Sequence, residues 1–202
     1  MQYNKNTYNS AEVFEGVFQK LCSDKLLNMQ DKSELPIYIQ TYPIEHEEEV
    51  AKQLAFLSQR LRKNDIQVSD INLYQIVLDI LRNDGVLDDI FAYEAESEKR
   101  DILETITPIL SVDRIMKNIS SIVTEETPKV ILLSGIAPVY PYLRAHNILN
   151  NISTELNKTP IVLFYPGTYN NEQLVLFGAK GETGVDDENY YRAHNLSNIK
   201  ID

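Results

Sequence analysis

Apolar positions recur along this chain with two alternating periods, and each change of period marks an element. Phe14, Phe18, Leu21 and Cys22 repeat at helical spacing. Asn9 precedes them with Glu12 three residues on, the pattern of a capping box, so a first helix is expected to start there. Cys22 is expected on its apolar face as a buried small hydrophobe. LPIYIQTYP carries β-forming residues between Pro36 and Pro43 and predicts a buried strand that stops at Pro43. Val50, Leu54, Leu57 and Leu61 then return to helical spacing. Acids crowd the start of that helix and bases its end, as the helix dipole favours. A strand followed by a helix is the first half of a βαβ unit.

IQVSDINL predicts a short strand, and INLYQIVLDILRNDG a helix closed by Gly85. Helical spacing holds from Val86 to Val123. Ile102, Ile106, Ile109 and Leu110 mark one helix; Ser111 is expected to cap the next, whose face holds Val112, Ile115, Ile119 and Ile122. Residues 86–124 therefore form a helical insertion within a single α/β domain spanning 1–202. Glu125–Pro128 is a polar break. PKVILLSG is continuously apolar, as a strand covered on both faces is, and it ends in Gly135. A helix is expected from near Val139 or Tyr140, with Ala145, Leu149, Ile152 and Leu156 on one face. TPIVLFYPG predicts a buried strand ended by Pro166 and Gly167, and QLVLFGAK a further strand. Lys180 to Asp187 is a polar turn, and YYRAHNLS an edge strand. The order β-α-β-α-β-α-β-β-β predicts a three-layer α/β domain, mostly parallel, with an antiparallel C-terminal edge.

Composition narrows the function. The chain has 202 residues and is 43% hydrophobic, enough for a full core. Its net charge of −11 opposes autonomous duplex binding, because neutralising phosphates dominates that affinity. Membership of a nucleic-acid-acting complex stays open. A single cysteine excludes an intramolecular disulfide and a multi-cysteine zinc site, and fits a reducing compartment. The N-terminal segment lacks the basic stretch and apolar run of a signal peptide. No apolar run reaches the ~18–20 residues that cross a bilayer. A cytoplasmic location is expected.

In open α/β sheets ligands bind beyond the C-terminal ends of strands, here QTYPIEHEEE, SGIAPVYPYLRAHN and YPGTYNNE. GxxxxGK[ST] is absent, and no glycine precedes a lysine anywhere. Phosphate cradles need both the glycine backbone and the lysine charge. GxGxxG and the GxSxG nucleophile elbow are also missing. His46-Glu47 begins like HExxH, but Val50 stands at the second histidine, which leaves a solvated helix start. Ser134 and His146 suggest a nucleophile and base, yet no segment nominates the orienting acid that a triad needs. The binding candidates are Ser134, Gly135, Tyr140, Tyr142, Arg144 and Asn147, with tyrosine and arginine as common interface anchors. The acidic helix starts and Asp186-Asp187-Glu188 lack calcium-loop spacing, and no cofactor or metal is expected. Arg-Ala-His-Asn occurs at Arg144–Asn147 and again at Arg192–Asn195. The first copy is expected within a helix and the second in an edge strand, which favours chance over a repeated unit.

Taken in order, LPIYIQTYP, EVAKQLAFLSQRL, INLYQIVLDIL, LLSGIAPVYPYLRAHNILNNI, KTPIVLFYPGTY, LVLFG and NYYRAHNLS resemble the BrxB family of bacteriophage exclusion (BREX) defence systems. The resemblance runs from Phe14 to Leu196 and is sharpest over Gly135–Asn151 and Thr159–Tyr169. The family's closing Tyr-Tyr-Arg-Ala is usually followed by phenylalanine, where this chain has His194. The resemblance implies a small cytoplasmic component of a multi-protein system that methylates host DNA and blocks phage replication. It implies no catalytic residues, a P-loop-type layer without nucleotide machinery, and docking onto the phosphatase-like PglZ component. The function so implied is a non-catalytic adaptor. The alternative is a degenerate nucleotide or nucleic-acid sensor at Ser134–Arg144.

Overall fold

A computed structural model describes residues 8–23, 36–156, 159–169, 174–177 and 193–200, the side chains of 146 and 153–155 excepted. The expected turn at 180–187, the acids 186–188 and Arg192 lie outside those residues.

The elements follow the periodicity closely at first. Helix α1 spans Ser10–Cys22, and the Asn9 side chain accepts from the Glu12 amide at its start. Strand β1 is Ile37–Tyr42, buried at every position. Helix α2 is Glu47–Lys63, with Glu47, Glu48 and Glu49 in its first turn and Arg60, Arg62 and Lys63 in its last. Strand β2 is Val68–Asn72 and helix α3 is Leu73–Asn83. Gly85 has φ 73 just beyond α3, the left-handed conformation that a helix C-terminus favours in glycine.

Helices α4 (Leu87–Glu94), α5 (Lys99–Ile106) and α6 (Val112–Glu126) fill the predicted helical stretch. The Ser111 side chain caps α6 by accepting from the Arg114 amide. Strand β3 is Val130–Ser134.

Among the described residues four of the sheet's five ladders are parallel. The sheet has six strands in the order β2-β3-β4-β1-β6, where β4 is Ile161–Tyr169 and β6 is His194–Asn195. The last, β5 (Leu174–Leu176), pairs antiparallel with the far end of β4 alone. Of the C-terminal strands expected to form an antiparallel edge, β5 is antiparallel but pairs with β4, and β6 lies parallel to β1. Successive strand residues point to opposite faces, so the sheet feeds two cores. Tyr38, Tyr42, Val130, Leu132, Val162 and Phe164 pack with α1 and α2. Ile39, Ile71, Ile131, Leu133, Ile161 and Leu163 pack with the helices that follow β2 and β3. The crossover from β1 to β2 runs one way along the sheet and those after β2 run back. Helices on opposite faces are what a constant crossover hand requires of that reversal.

Three further expectations are corrected. Cys22 is exposed, because Phe14, Val17 and Leu21 form the buried stripe and Cys22 lies about 100° round the helix from Leu21. The helix after β3 is broken: α7 (Ile136–Val139) stops at Tyr140, and α8 (Ala145–Glu155) starts afresh. Pro141 has no amide hydrogen and holds Tyr140 extended (φ −72, ψ 138), so one helix cannot run through. Arg144 is accordingly the extended N-cap of α8, outside the helix that was expected to contain it. Finally, β4 continues through Pro166 and Gly167. The Pro166 carbonyl still accepts from Phe177 N at 3.0 Å. Gly167 lets β5 approach, since a Cβ there would lie 2.1 Å from the Val175 carbonyl oxygen.

Candidate functional site

Helix α2, packed on one face of the sheet, and the C-terminal ends of the strands enclose a cleft of about 280 Å³. Tyr42 ends β1, Asn72 ends β2 and Ser134 ends β3, and all three line it with Gly135 and Asp70. Its roof is one side of α2: Glu47, Val50, Ala51, Leu54 and Ala55. These positions recur at three- and four-residue steps, which puts them on one helix face.

Each polar group there is placed by a local rule. The Asn72 side chain caps α3, accepting from Tyr74 N at 2.9 Å and Gln75 N at 3.2 Å. Gly135 follows β3 with φ 80, and a Cβ on it would sit 2.3 Å from Asn72 Oδ1. Only glycine lets the β3 end close against that cap. Tyr42 donates from its hydroxyl to Glu47 Oε2 at 2.6 Å. Burial and the Glu47 carboxylate push that phenol far above its ordinary range, so it stays a donor. Asp70 accepts from Ser58 Oγ at 3.0 Å. The cleft opens its side chain to solvent, yet the crowding walls desolvate the carboxyl and raise its pKa. The Ser58 hydrogen bond, and then the nearby Arg62, whose guanidinium donates to the Val68 carbonyl at 3.0 Å, offset this only in part. Ser134 is 7% exposed.

The sequence candidates separate into two groups. Ser134 and Gly135 line the cleft. Tyr140, Tyr142, Arg144 and Asn147 do not. Tyr140 stands edge-on to the Phe177 ring at 6.2 Å. Tyr142 packs against the core opposite α2, where burial and then Glu94 raise its pKa. Arg144 is exposed, and the Asn147 carbonyl accepts from Asn151 Nδ2 at 2.7 Å. His146, proposed as a base for Ser134, has its side chain outside the described residues. His46, at the start of α2, meets Glu49 through Nδ1 at 2.9 Å, a helix-end contact. Among the described residues no group of His, Cys, Asp and Glu is arranged to hold a metal ion. No helix among them is long and apolar enough to cross a membrane.

Periodicity missed Asp70 and Asn72. The alternation of β2 puts both on the face of Val68, the face α2 covers, but only the packing of α2 shows that this face is the open one. The signal available in the sequence was Asn72 itself, an asparagine directly before an apolar helix.

The fold and cleft together define a mostly parallel α/β domain whose strand-end cleft is lined by the carboxylates of Glu47 and Asp70, with no glycine–lysine turn for phosphate. The sequence pattern of one family, described as BREX protein BrxB, matches residues 69–196. Similar proteins include the BREX protein BrxB of Bacillus cereus (strain H3081.97), 33% identical over 171 residues that cover 81% of this chain and 84% of that protein. Another is the BREX protein BrxB of Escherichia coli O9:H4 (strain HS), 26% identical over 171 residues, covering 85% and 82%. No solved structure matches. The chain belongs to the BrxB family of BREX defence proteins.

Proposed function

We propose that this chain is a non-catalytic adaptor of a BREX anti-phage system and that it docks onto the PglZ component. The observation that carries the proposal is family membership, with relatives matched over most of their length. The chemistry of the strand ends supports it. The turn after β1 reads Tyr42-Pro43-Ile44-Glu45, where a nucleotide-binding layer of this kind would carry glycines and a lysine. The fold is then a degenerate P-loop-like layer kept for its surfaces. A net charge of −11 directs the chain to protein partners and away from bare duplex. A nucleotide sensor at Ser134–Arg144 is the weaker reading, because Glu47 and Asp70 line the cleft that Ser134 lines.

The test is co-purification of the full chain with each other component of its system, followed by sizing. A stable complex with PglZ that survives gel filtration is the expected result. If PglZ and every other component elute separately from the chain, the adaptor reading fails.

A further inference from the structure

We propose that the cleft under α2 binds an elongated organic cation, with ammonium or guanidinium groups separated by methylenes. Three observations carry this. First, its carboxylates lie toward opposite ends. Glu47 begins α2, while Asp70 is held by Ser58, eleven residues on, a span of roughly 16 Å at the helical rise. Second, the wall between them is methyl and methylene surface from Val50, Ala51, Leu54 and Ala55. Positive ends against acids, with an alkyl middle against apolar side chains, is the pattern that matches both surfaces. Third, Ser134 is more than nine-tenths buried at the cleft floor, on the β3 face that α2 covers. Its hydroxyl has no hydrogen-bond partner among the described residues. That hydroxyl reaches the solvent of the cleft, where an ammonium or guanidinium brought by a ligand can donate to it.

The same chemistry supports the choice of charge. Asp70 is desolvated and makes no salt bridge among the described residues, so a cation regains Coulomb energy there that an anion forfeits. At about 280 Å³ the cleft lies at or just below the small end of ligand sites, roughly 300–1,000 Å³. That admits a free polyamine or the basic side chains of a protein segment, and the two carboxylates disfavour a phosphate-bearing ligand.

This assignment is independent of the PglZ reading, since it is measured on the purified chain alone. Spermidine, N-acetyl-arginine amide and inorganic phosphate are titrated into ¹⁵N-labelled protein, with amide shifts as the readout. Saturable shifts at Tyr42, Asp70 and Ser134 are expected with a cationic probe and none with phosphate. Tighter binding of spermidine assigns the site to a free polyamine; tighter binding of the arginine amide assigns it to a partner's side chain. Asp70→Asn and Glu47→Gln each weaken binding at least tenfold, and Ser134→Ala weakens it less. Asp70→Asn removes a desolvated charge and keeps the Ser58 bond, so it folds. The proposal is overturned if neither cation saturates by ~20 mM, a weak-binding limit set by affinity arithmetic. It is equally overturned if binding is unchanged in Asp70→Asn.

Discussion

Asp70 holds its carboxyl against the crowding of the cleft with a single hydroxyl from Ser58. Its pKa is raised above the ordinary 3.8, chiefly by desolvation. The folded chain therefore holds that proton more tightly than the unfolded chain. Below 3.8 the group is protonated in both states and contributes nothing against folding. As pH rises through the folded value, ionisation in the crowded site opposes folding, and the opposition is complete above it. Asp70→Asn keeps an acceptor for Ser58 and removes the charge. The variant is expected to be more stable than the parent at pH 7, with the advantage shrinking as pH falls toward 4. Melting temperatures of both proteins across that range check it, because the difference between them cancels every other titrating group. An advantage over the parent no larger at pH 7 than at pH 4 would falsify the desolvated state of Asp70.

Helix α3 shows how an element end and the cleft are built together. Asn72 satisfies the Tyr74 and Gln75 amides and also walls the cleft against Gly135. Asn72→Ala leaves both amides without that acceptor, and caps of this kind contribute about 0.5–2 kcal/mol. A lowered urea midpoint with unchanged slope is expected, and Asn72→Asp recovers most of the loss because its carboxylate also caps. The elements legible in the sequence are those whose signals are local. Helices α2, α3 and α6 show their apolar spacing and end residues, and β1 and β3 their continuous burial between punctuating residues. The missed features depend on distant partners. The extension of β4 past Pro166 needs Phe177 and Val175 alongside, and the direction of β6 is set by its pairing with β1. The break between α7 and α8 was written in Pro141 but overridden by the helical spacing that surrounds it. The site divides likewise. Ser134 and Gly135 stand at an obvious strand end, while Asp70 becomes a site residue only because α2 covers its side of β2. Tyr140, Tyr142, Arg144 and Asn147 share the sequence segment of Ser134 but lie outside the cleft.

The two cores meet in one sheet. Adjacent residues of β3, Leu132 and Leu133, enter different cores, so neither core loses its sheet contacts without exposing the other. The helical segment from α4 to α6 sends Ile90, Ile102, Ile106, Ile115, Met116 and Ile119 into the same core as Ile131 and Leu133. Arg114 grips Asp84 with both terminal guanidinium nitrogens at 2.7 Å, joining α6 to the end of α3. That continuity predicts one cooperative unfolding unit, in which the inserted helices are part of the domain and not an appendage. Far-UV circular dichroism, dominated by helices, and the emission of the 12 tyrosines, with no tryptophan to mask them, report different parts of the molecule. Their urea transitions are expected to coincide. Leu132→Ala in one core and Ile115→Ala in the other each remove a fully buried side chain, at a cost of about 2–5 kcal/mol. Both are expected to shift the whole transition for both probes. If Ile115→Ala instead splits it, with the amides of residues 87–126 exchanging ahead of β3 and β4, the helices fold on their own and the single-domain reading is lost. A coincident shift means that a partner seated on any face of the molecule stabilises all of it, since binding to the native state alone raises the stability of the entire cooperative unit.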